Sequence, residues 1–185
     1  MSHALSCKTH GGLIRRHDGV KDVLAEMCKA ARLCHEVEPR QALKGNKLRP
    51  DILIRFGKDG YDLAIDLTIE SPIRDEHSIS LSIRDEQKFL SQAAVTKTRK
   101  YQEECGQNGA SFVPIVLSAV GGVLEESYTE GLHFLIKKIK KSQFISPNWA
   151  APNRTSYWMQ RIAIALWSGN VTQVSSFLQK KPLRC

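Results

Sequence analysis

The chain has 185 residues, of which 42% are hydrophobic, so it is long enough for one domain with one sizeable core. Its 27 Lys and Arg residues against 19 Asp and Glu residues give a formal charge of +8, which favours a polyanionic partner such as nucleic acid or an anionic membrane. No apolar run approaches the roughly 18 residues of a membrane span, so the sequence argues against a transmembrane protein and predicts a soluble one.

The cysteines and the first residues indicate an intracellular, reducing compartment. Met1–His10 is polar and lacks the apolar stretch of a secretory signal. The five cysteines are odd in number and include no CxxC pair, which fits reduced thiols better than a disulfide framework. His3 and Cys7 have the spacing of half a zinc knuckle, but two ligands do not close a tetrahedral site. Zinc binding by this chain alone is therefore not expected.

The first half of the chain predicts a helix followed by strands. Apolar residues recur at helical spacing over Asp18–Leu33, with Asp18 as the predicted N-cap. Glu36–Ala42 contains a proline and indicates a short strand or an extended link. Strand-forming residues dominate Asp51–Phe56 and Tyr61–Ile69, and the Asp-Gly pair between them predicts a hairpin. Residues alternate along the second of these strands, so one face packs and the other presents carboxylates.

The second half predicts mainly helices around one more strand. Ser71–Ser82 is polar and indicates an insertion or a mobile loop. A long helix is expected from about Asp85 to about Cys105, and then a buried strand over Phe112–Leu117, where Pro114 suggests an edge or a bulge. The further helices expected are Thr129–Lys141, Thr155–Trp167 and a short terminal helix after Gly169-Asn170. This order describes an α/β domain with a small mixed sheet flanked by helices.

Two aspartates can meet across the predicted hairpin. Asp51 lies at the start of one strand and Asp66 on the exposed face of the other, and a twisted ladder brings such carboxylates together. Two hard oxygen ligands at the mouth of a sheet suit Mg²⁺, because substrate phosphates and waters complete its octahedron. The alternative is structural: Asp51 would then be a strand-initiating turn residue and Asp66 an ordinary exposed strand position.

A lysine interrupts the apolar stripe of the long helix. The stripe consists of Leu90, Ala93, Ala94, Lys97, Tyr101 and Cys105. Lys97 loses hydration in such a stripe unless it finds a carboxylate, and Asp66 on the facing sheet is the expected partner. Near a metal-bound phosphate Lys97 would orient the nucleophilic water, and Tyr101, one turn later, would reach the same polar centre. The alternative is a rotated helix that leaves Lys97 at the boundary with solvent.

Together these residues resemble a known nuclease family. The motifs that carry the resemblance are Arg15-Arg16-His17-Asp18, Arg49-Pro50-Asp51, Asp66 and Lys97-x-x-x-Tyr101. Their series resembles the restriction-like endonuclease domain of site-specific non-LTR retrotransposon proteins, a branch of the PD-(D/E)XK nuclease superfamily. The resemblance covers roughly residues 15–117 and depends on the order and placement of motifs that are individually weak.

The resemblance implies a restriction-endonuclease-like α/β fold and three parts of the chain. Residues 15–145 would form the endonuclease domain, and residues 146–185 a helical extension packed on it. Residues 1–14 would be an N-terminal extension, in which His3-x-x-x-Cys7 is similar to the tail of the zinc knuckle that precedes this domain in such proteins.

The resemblance also implies roles for the central residues. Asp51 would match the metal-binding aspartate of the PD motif and Asp66 the acidic residue of the (D/E)XK motif, with Mg²⁺ as the cofactor and Mn²⁺ as its substitute. Thr68 stands where that motif normally carries lysine. Lys97 is similar to the lysine that the following helix supplies in the retrotransposon branch. The alternative is that Thr68, in place of the motif lysine, marks a degenerate and inactive member of the family.

Further acidic and basic residues take their implied roles from the same resemblance. Glu26 would match the accessory acid of the first helix, with Glu36 and Glu38 as rivals. The basic residues that would grip phosphates on either side of the scissile bond are Arg15, Arg16, His17 and Arg49.

The implied function is a Mg²⁺-dependent DNA endonuclease that nicks a chromosomal target, so that the free 3′-hydroxyl primes reverse transcription in the nucleus. Its partners would be DNA and a reverse transcriptase domain or the RNA of the parent element, with no membrane partner. Two rivals stay open: a catalytically inactive nucleic-acid-binding module on the same fold, and a structure-selective, junction-resolving nuclease acting as a homodimer. The oligomeric state is left open.

Overall fold

The computed structural model describes residues 11–39, 49–73, 75–140 and 151–180, which are built around a four-stranded sheet. The strands lie in the order β1-β2-β3-β4 and span His35–Val37, Ile52–Lys58, Tyr61–Glu70 and Ala110–Ser118. The first three strands are antiparallel neighbours, whereas β4 runs parallel to β3. This confirms the expected small mixed sheet, with Pro114 on an edge strand.

Helices cover both faces of the sheet. In the described part of the chain they are α1 (Gly12–Ala30), α2 (Glu76–Arg84), α3 (Glu86–Gln107), α4 (His133–Lys138) and α5 (Arg154–Lys180), and a π-helical segment, Ser127–Leu132, leads directly into α4. The helices α2 and α3 form the long crossover between the parallel strands β3 and β4. Helix α5 packs along α1, which lies against the sheet.

Alternate residues of β3 enter two different cores. Leu63, Ile65 and Leu67 pack with α1, α4 and α5 in the larger core. Ala64 instead packs with Tyr101 and Cys105 of α3, in a smaller cluster on the opposite face. The alternation of the strand is therefore as expected, but α3 covers the face that was expected to be exposed.

Helix α1 begins at Gly12, six residues before the predicted N-cap. Its actual N-cap is Gly11, whose φ of 65° lies in the left-handed region that glycine tolerates best. Asp18 lies inside the helix, where its carboxylate accepts a hydrogen bond of 2.8 Å from Lys21. The sequence prediction was wrong here because Asp18 is satisfied by a lysine three residues later rather than by a free backbone N–H group.

Most of the predicted loop Ser71–Ser82 is helical. Helix α2 begins after Asp75, whose Oδ1 accepts a hydrogen bond of 2.7 Å from the Ser78 amide. Leu81 of α2 is buried in a cluster with Leu90 of α3. A side-chain cap and one buried contact are therefore enough to order this polar segment.

Helix α5 continues through Gly169 and Asn170, which were expected to separate two helices. A Cβ atom at position 169 would lie 2.6 Å from the Cα atom of Arg16, so glycine allows α5 to approach α1 closely. The buried Asn170 amide donates to the Ala119 carbonyl at 2.7 Å and accepts from Arg16 at 2.9 Å. The Gly-Asn pair thus serves helix packing rather than helix termination.

Some expectations lie outside the described residues, namely the His3–Cys7 pair, the end of the predicted link at Ala42 and the helix end at Lys141. None of the described helices is both long and apolar enough to cross a membrane.

Candidate active site

The hairpin of β2 and β3 brings the two predicted metal ligands together. Ile52 pairs with Ile65, so Asp51, just before β2, lies opposite Asp66 of β3. The Leu67 amide donates a hydrogen bond of 2.6 Å to Asp51 Oδ2, which ties the start of β2 to the middle of β3. Asp66 is only 4% exposed, because α3 covers its face of the sheet.

Lys97 reaches this carboxylate pair from α3. Its Nζ lies 2.7 Å from Asp66 Oδ2, and its side chain is partly exposed. The aliphatic stem therefore follows the helix stripe while the ammonium group meets a buried carboxylate, as the sequence predicted. The partly exposed side chain of Lys97 thus lies near the boundary with solvent, as in the rotated-helix alternative, but it has a carboxylate partner.

Tyr101 lies one helical turn after Lys97 and supports the same region. Its ring stacks on Phe112 with 5.0 Å between the ring centroids, and its hydroxyl donates to the Arg49 carbonyl at 3.3 Å. Burial, together with the charge of Asp66, raises the pKa of Tyr101 well above its ordinary value. Tyr101 is therefore a protonated hydrogen-bond donor at neutral pH, beside the segment that carries Asp51.

His17 of α1 contacts Asp51 directly, which the sequence did not predict. Its Nε2 lies 3.2 Å from Asp51 Oδ2 and 3.2 Å from the Leu67 carbonyl, so this nitrogen faces two acceptors and carries a proton. Burial lowers the pKa of His17, but the hydrogen bond and charge of Asp51 outweigh burial and raise the pKa overall. The sequence predicted a phosphate contact for His17, and the structure gives this side chain a contact to a candidate metal ligand.

A pocket of about 480 Å³ opens beside these groups. Its lining includes His17, Thr68 and Lys97, together with the carboxylate residues Asp18 and Glu38. The Thr68 hydroxyl oxygen is buried and has no hydrogen-bond partner among the described residues. Thr68 therefore shares a pocket with Lys97.

Lys21 is a further charged residue near the site, in the middle of α1. It is buried, and its ammonium group pairs with both Asp18 and Glu38. Burial lowers the pKa of Lys21, but these two carboxylates outweigh burial and raise it overall. Sequence reasoning missed Lys21, although its spacing of three and seven residues from Leu24 and Cys28 places it on an apolar helix face, where a lysine needs a carboxylate partner.

The predicted basic residues divide into exposed and buried positions. Arg15 and Arg49 have exposed side chains, as a phosphate contact requires. Arg16 is only 2% exposed, and its Nη1 donates to Asn170 of α5 at 2.9 Å. The structure therefore places Arg16 at the contact between α1 and α5, instead of on the surface expected from the sequence.

The predicted accessory acid lies with α5. Glu26 Oε2 lies 2.5 Å from Arg161 Nη1, so the structure pairs Glu26 with that arginine and not with the candidate metal ligands. Of its rivals, Glu36 pairs with Arg55, whereas Glu38 lines the pocket beside Lys97.

The donor set at the site consists of two carboxylates. Within the described ranges, no three His, Cys, Asp or Glu side chains are grouped so that they could hold a metal ion. Mg²⁺, however, binds through one or two carboxylates when waters and substrate phosphates supply its other ligands. Asp51 and Asp66 fit this requirement chemically, because they are two neighbouring hard oxygen donors and only Asp66 is paired with a lysine.

No protein-family model matches the chain, and no curated protein is significantly similar to it in sequence.

Proposed function

We propose that the chain is a metal-dependent DNA endonuclease with a restriction-endonuclease-like fold, which hydrolyses one phosphodiester bond and so nicks its target. The observation that carries the proposal is the 2.7 Å contact between Lys97 Nζ and Asp66 Oδ2, in a pair of strands that also holds Asp51. Phosphodiester hydrolysis needs carboxylates for a divalent cation and a cationic group for the developing negative charge. This cluster offers both.

The order of the elements supports the finer fold assignment. Helix α1 is followed by three antiparallel strands, a helical crossover and the parallel strand β4. These are the strand and helix placements that the resemblance to the retrotransposon endonuclease domain implies. Motifs that lie far apart in the sequence also meet in pairs: His17 of α1 contacts Asp51 before β2, and Lys97 of α3 contacts Asp66 of β3.

The chain's own residues divide the chemistry between them. A divalent cation bound by Asp51 and Asp66 would polarise the phosphodiester and lower the pKa of the attacking water. Lys97 donates a hydrogen bond to that water or to a phosphate oxygen, and its charge offsets the negative charge of the transition state. Tyr101 holds the backbone at Arg49 through its hydroxyl, so that Asp51 stays in register with Asp66.

Plasmid nicking in Mg²⁺ or Mn²⁺ tests the proposal. Asp66→Asn and Lys97→Ala should each lower the nicking rate by about a hundredfold or more, and EDTA should abolish nicking. Asp59→Asn and Lys88→Ala are the matched controls, because Asp59 and Lys88 are exposed and lie in the hairpin turn and on the outer surface of α3. Both control variants should nick at the wild-type rate.

DNA binding on the same samples separates the rival functions. A wild-type chain that binds DNA equally well in EDTA and never cuts would be a catalytically inactive binding module, with Thr68 marking the loss of activity. A chain that cuts branched DNA much faster than linear DNA would be a junction-resolving nuclease. Equal losses in the control variants and in the site variants would contradict the proposed roles of Asp66 and Lys97.

A further inference from the structure

Helix α5 carries a second apolar stripe that faces away from the core. Its inner face buries Trp158, Ile162 and Leu166 in the larger core. On the outer face, four large apolar side chains are between 52% and 63% exposed: Ile164, Trp167, Val171 and Leu178. The half-buried Val174 completes the outer stripe.

The spacing of the outer stripe is that of a helix-pairing seam. Its five positions are separated alternately by three and four residues, and at 100° per residue they fall within an arc of about 80°. A stripe of this kind packs against another helix with the same spacing. Single exposed apolar residues need no explanation, but a continuous stripe of five marks an interaction surface.

The charges indicate the chemistry of the partner. Residues 162–179 contain no charged side chain, although the chain as a whole has a formal charge of +8. An anionic membrane or a nucleic acid binds through basic residues alongside the contact, whereas here the nearest ones, Arg161 and Lys180, stand only at the two ends of the stripe. A second copy of the same stripe, by contrast, brings no like charges together between Ile164 and Leu178.

We propose that the outer stripe of α5 pairs with the same stripe of a second copy of this chain, in an antiparallel arrangement. Val171 lies midway between Ile164 and Leu178, so a twofold axis at Val171 places Ile164 opposite Leu178 of the partner subunit. The same axis places the large Trp167 opposite Ser175 and beside the small Val174 of the partner subunit, whereas parallel pairing would place tryptophan against tryptophan. The opposed helix dipoles also favour the antiparallel arrangement.

The size of the contact sets its strength. Two copies that bury this stripe remove on the order of 1,000 Å² from solvent, which is near the lower limit for a specific interface. We therefore expect a reversible dimer with a dissociation constant in the micromolar range. This dimer does not depend on the proposed nuclease activity.

Sedimentation velocity on the full chain tests the dimer. The wild type should shift from monomer to dimer between about 1 and 200 µM, and Val171→Glu, which places two like charges at the axis, should weaken association at least tenfold. Val120→Glu is the matched control, since Val120 is also an exposed valine but lies off the stripe, and it should dimerise like the wild type. Circular dichroism checks that both variants fold. A wild-type chain that stays monomeric throughout, or a Val171→Glu variant that dimerises normally, would overturn the proposal.

Disulfide trapping tests the direction of pairing. In a background with Cys7, Cys34 and Cys185 changed to serine, oxidised Val171→Cys should form a covalent dimer. A mixture of Ile164→Cys and Leu178→Cys should cross-link between the two variants, while Ile164→Cys alone should not. Cross-linking of Ile164→Cys with itself would show parallel pairing and overturn the antiparallel arrangement.

Discussion

Asp51 Oδ2 is held from two directions, by His17 Nε2 at 3.2 Å and by the Leu67 amide at 2.6 Å. These two contacts engage one carboxylate oxygen, so a cation would bind Asp51 through Oδ1. In the proposed nuclease, His17 is therefore a positioning residue, because it orients Asp51 and need not touch the substrate.

Loss of the His17 contact should weaken the use of divalent cations. We expect His17→Ala to raise the Mg²⁺ concentration needed for half-maximal nicking by about 10- to 100-fold, as is usual when the outer hydrogen bond of a metal ligand is lost. His17→Gln should need a Mg²⁺ concentration close to that of the wild type, since the glutamine amide N–H can donate to Asp51. His77→Ala, at an exposed histidine of α2, is the control, and a His17→Ala variant with the Mg²⁺ dependence of the wild type would contradict the positioning role.

The shared pocket of Thr68 and Lys97 predicts that the lysine can be moved between them. Lys97→Met should lower the nicking rate by about a hundredfold. Adding Thr68→Lys to this variant should raise its nicking rate at least tenfold, because both side chains line one pocket. The comparison is the double variant Lys97→Met with Thr96→Lys, which has the same net charge but carries its lysine at an exposed position. Equal rates in the two double variants would show that the location of the lysine is irrelevant.

The close approach of α5 to α1 predicts that glycine-to-alanine substitutions at positions 169 and 106 change the free energy of unfolding in opposite directions. Gly169→Ala should lower the free energy of unfolding by about 2 kcal/mol or more, because the new Cβ atom would lie 2.6 Å from the Arg16 backbone. Gly106→Ala, at a helical glycine with no atom within 4 Å of the added Cβ, should raise it by up to about 1 kcal/mol. Urea unfolding measures both. A Gly169→Ala variant as stable as the wild type would mean that the two helices can separate at no cost.

Two buried thiols predict a decline of stability at alkaline pH. Burial raises the pKa of Cys28 to about 12 and that of Cys105 to about 11, from an ordinary value of 9.0. The unfolded chain therefore loses these protons first, so the free energy of unfolding should fall as the pH rises above 9. Urea unfolding at several pH values measures this fall, and Cys28→Val should make it shallower. An identical fall in Cys28→Val would assign the effect to other groups.

Local patterns in the sequence predicted the hairpin and α3 well. The Asp-Gly turn and the alternation of β3 depend on neighbouring residues, and the position of Lys97 in an apolar stripe favoured a carboxylate partner. In the structure the hairpin register pairs Ile52 with Ile65, which places Asp51 opposite Asp66.

The remaining features depend on residues that are distant in the sequence. Whether Arg16 faces DNA or Asn170 is decided by the packing of α5, which begins more than a hundred residues later. The contact of His17 with Asp51 likewise requires α1 to lie across the hairpin. Gly169 would favour a helix end locally, but the tertiary contact with α1 outweighs that preference.

The long crossover between β3 and β4 also determines the order in which the site can assemble during folding. Ile52 and Ile65 pair across a short hairpin, whereas Asp66 pairs with Pro114 only after the α2–α3 crossover has closed a large loop. The two aspartates therefore meet early, and Lys97 arrives with the late docking of α3. Until α3 docks, the two carboxylates of the hairpin lie side by side without their lysine, so their mutual repulsion opposes the hairpin up to that step.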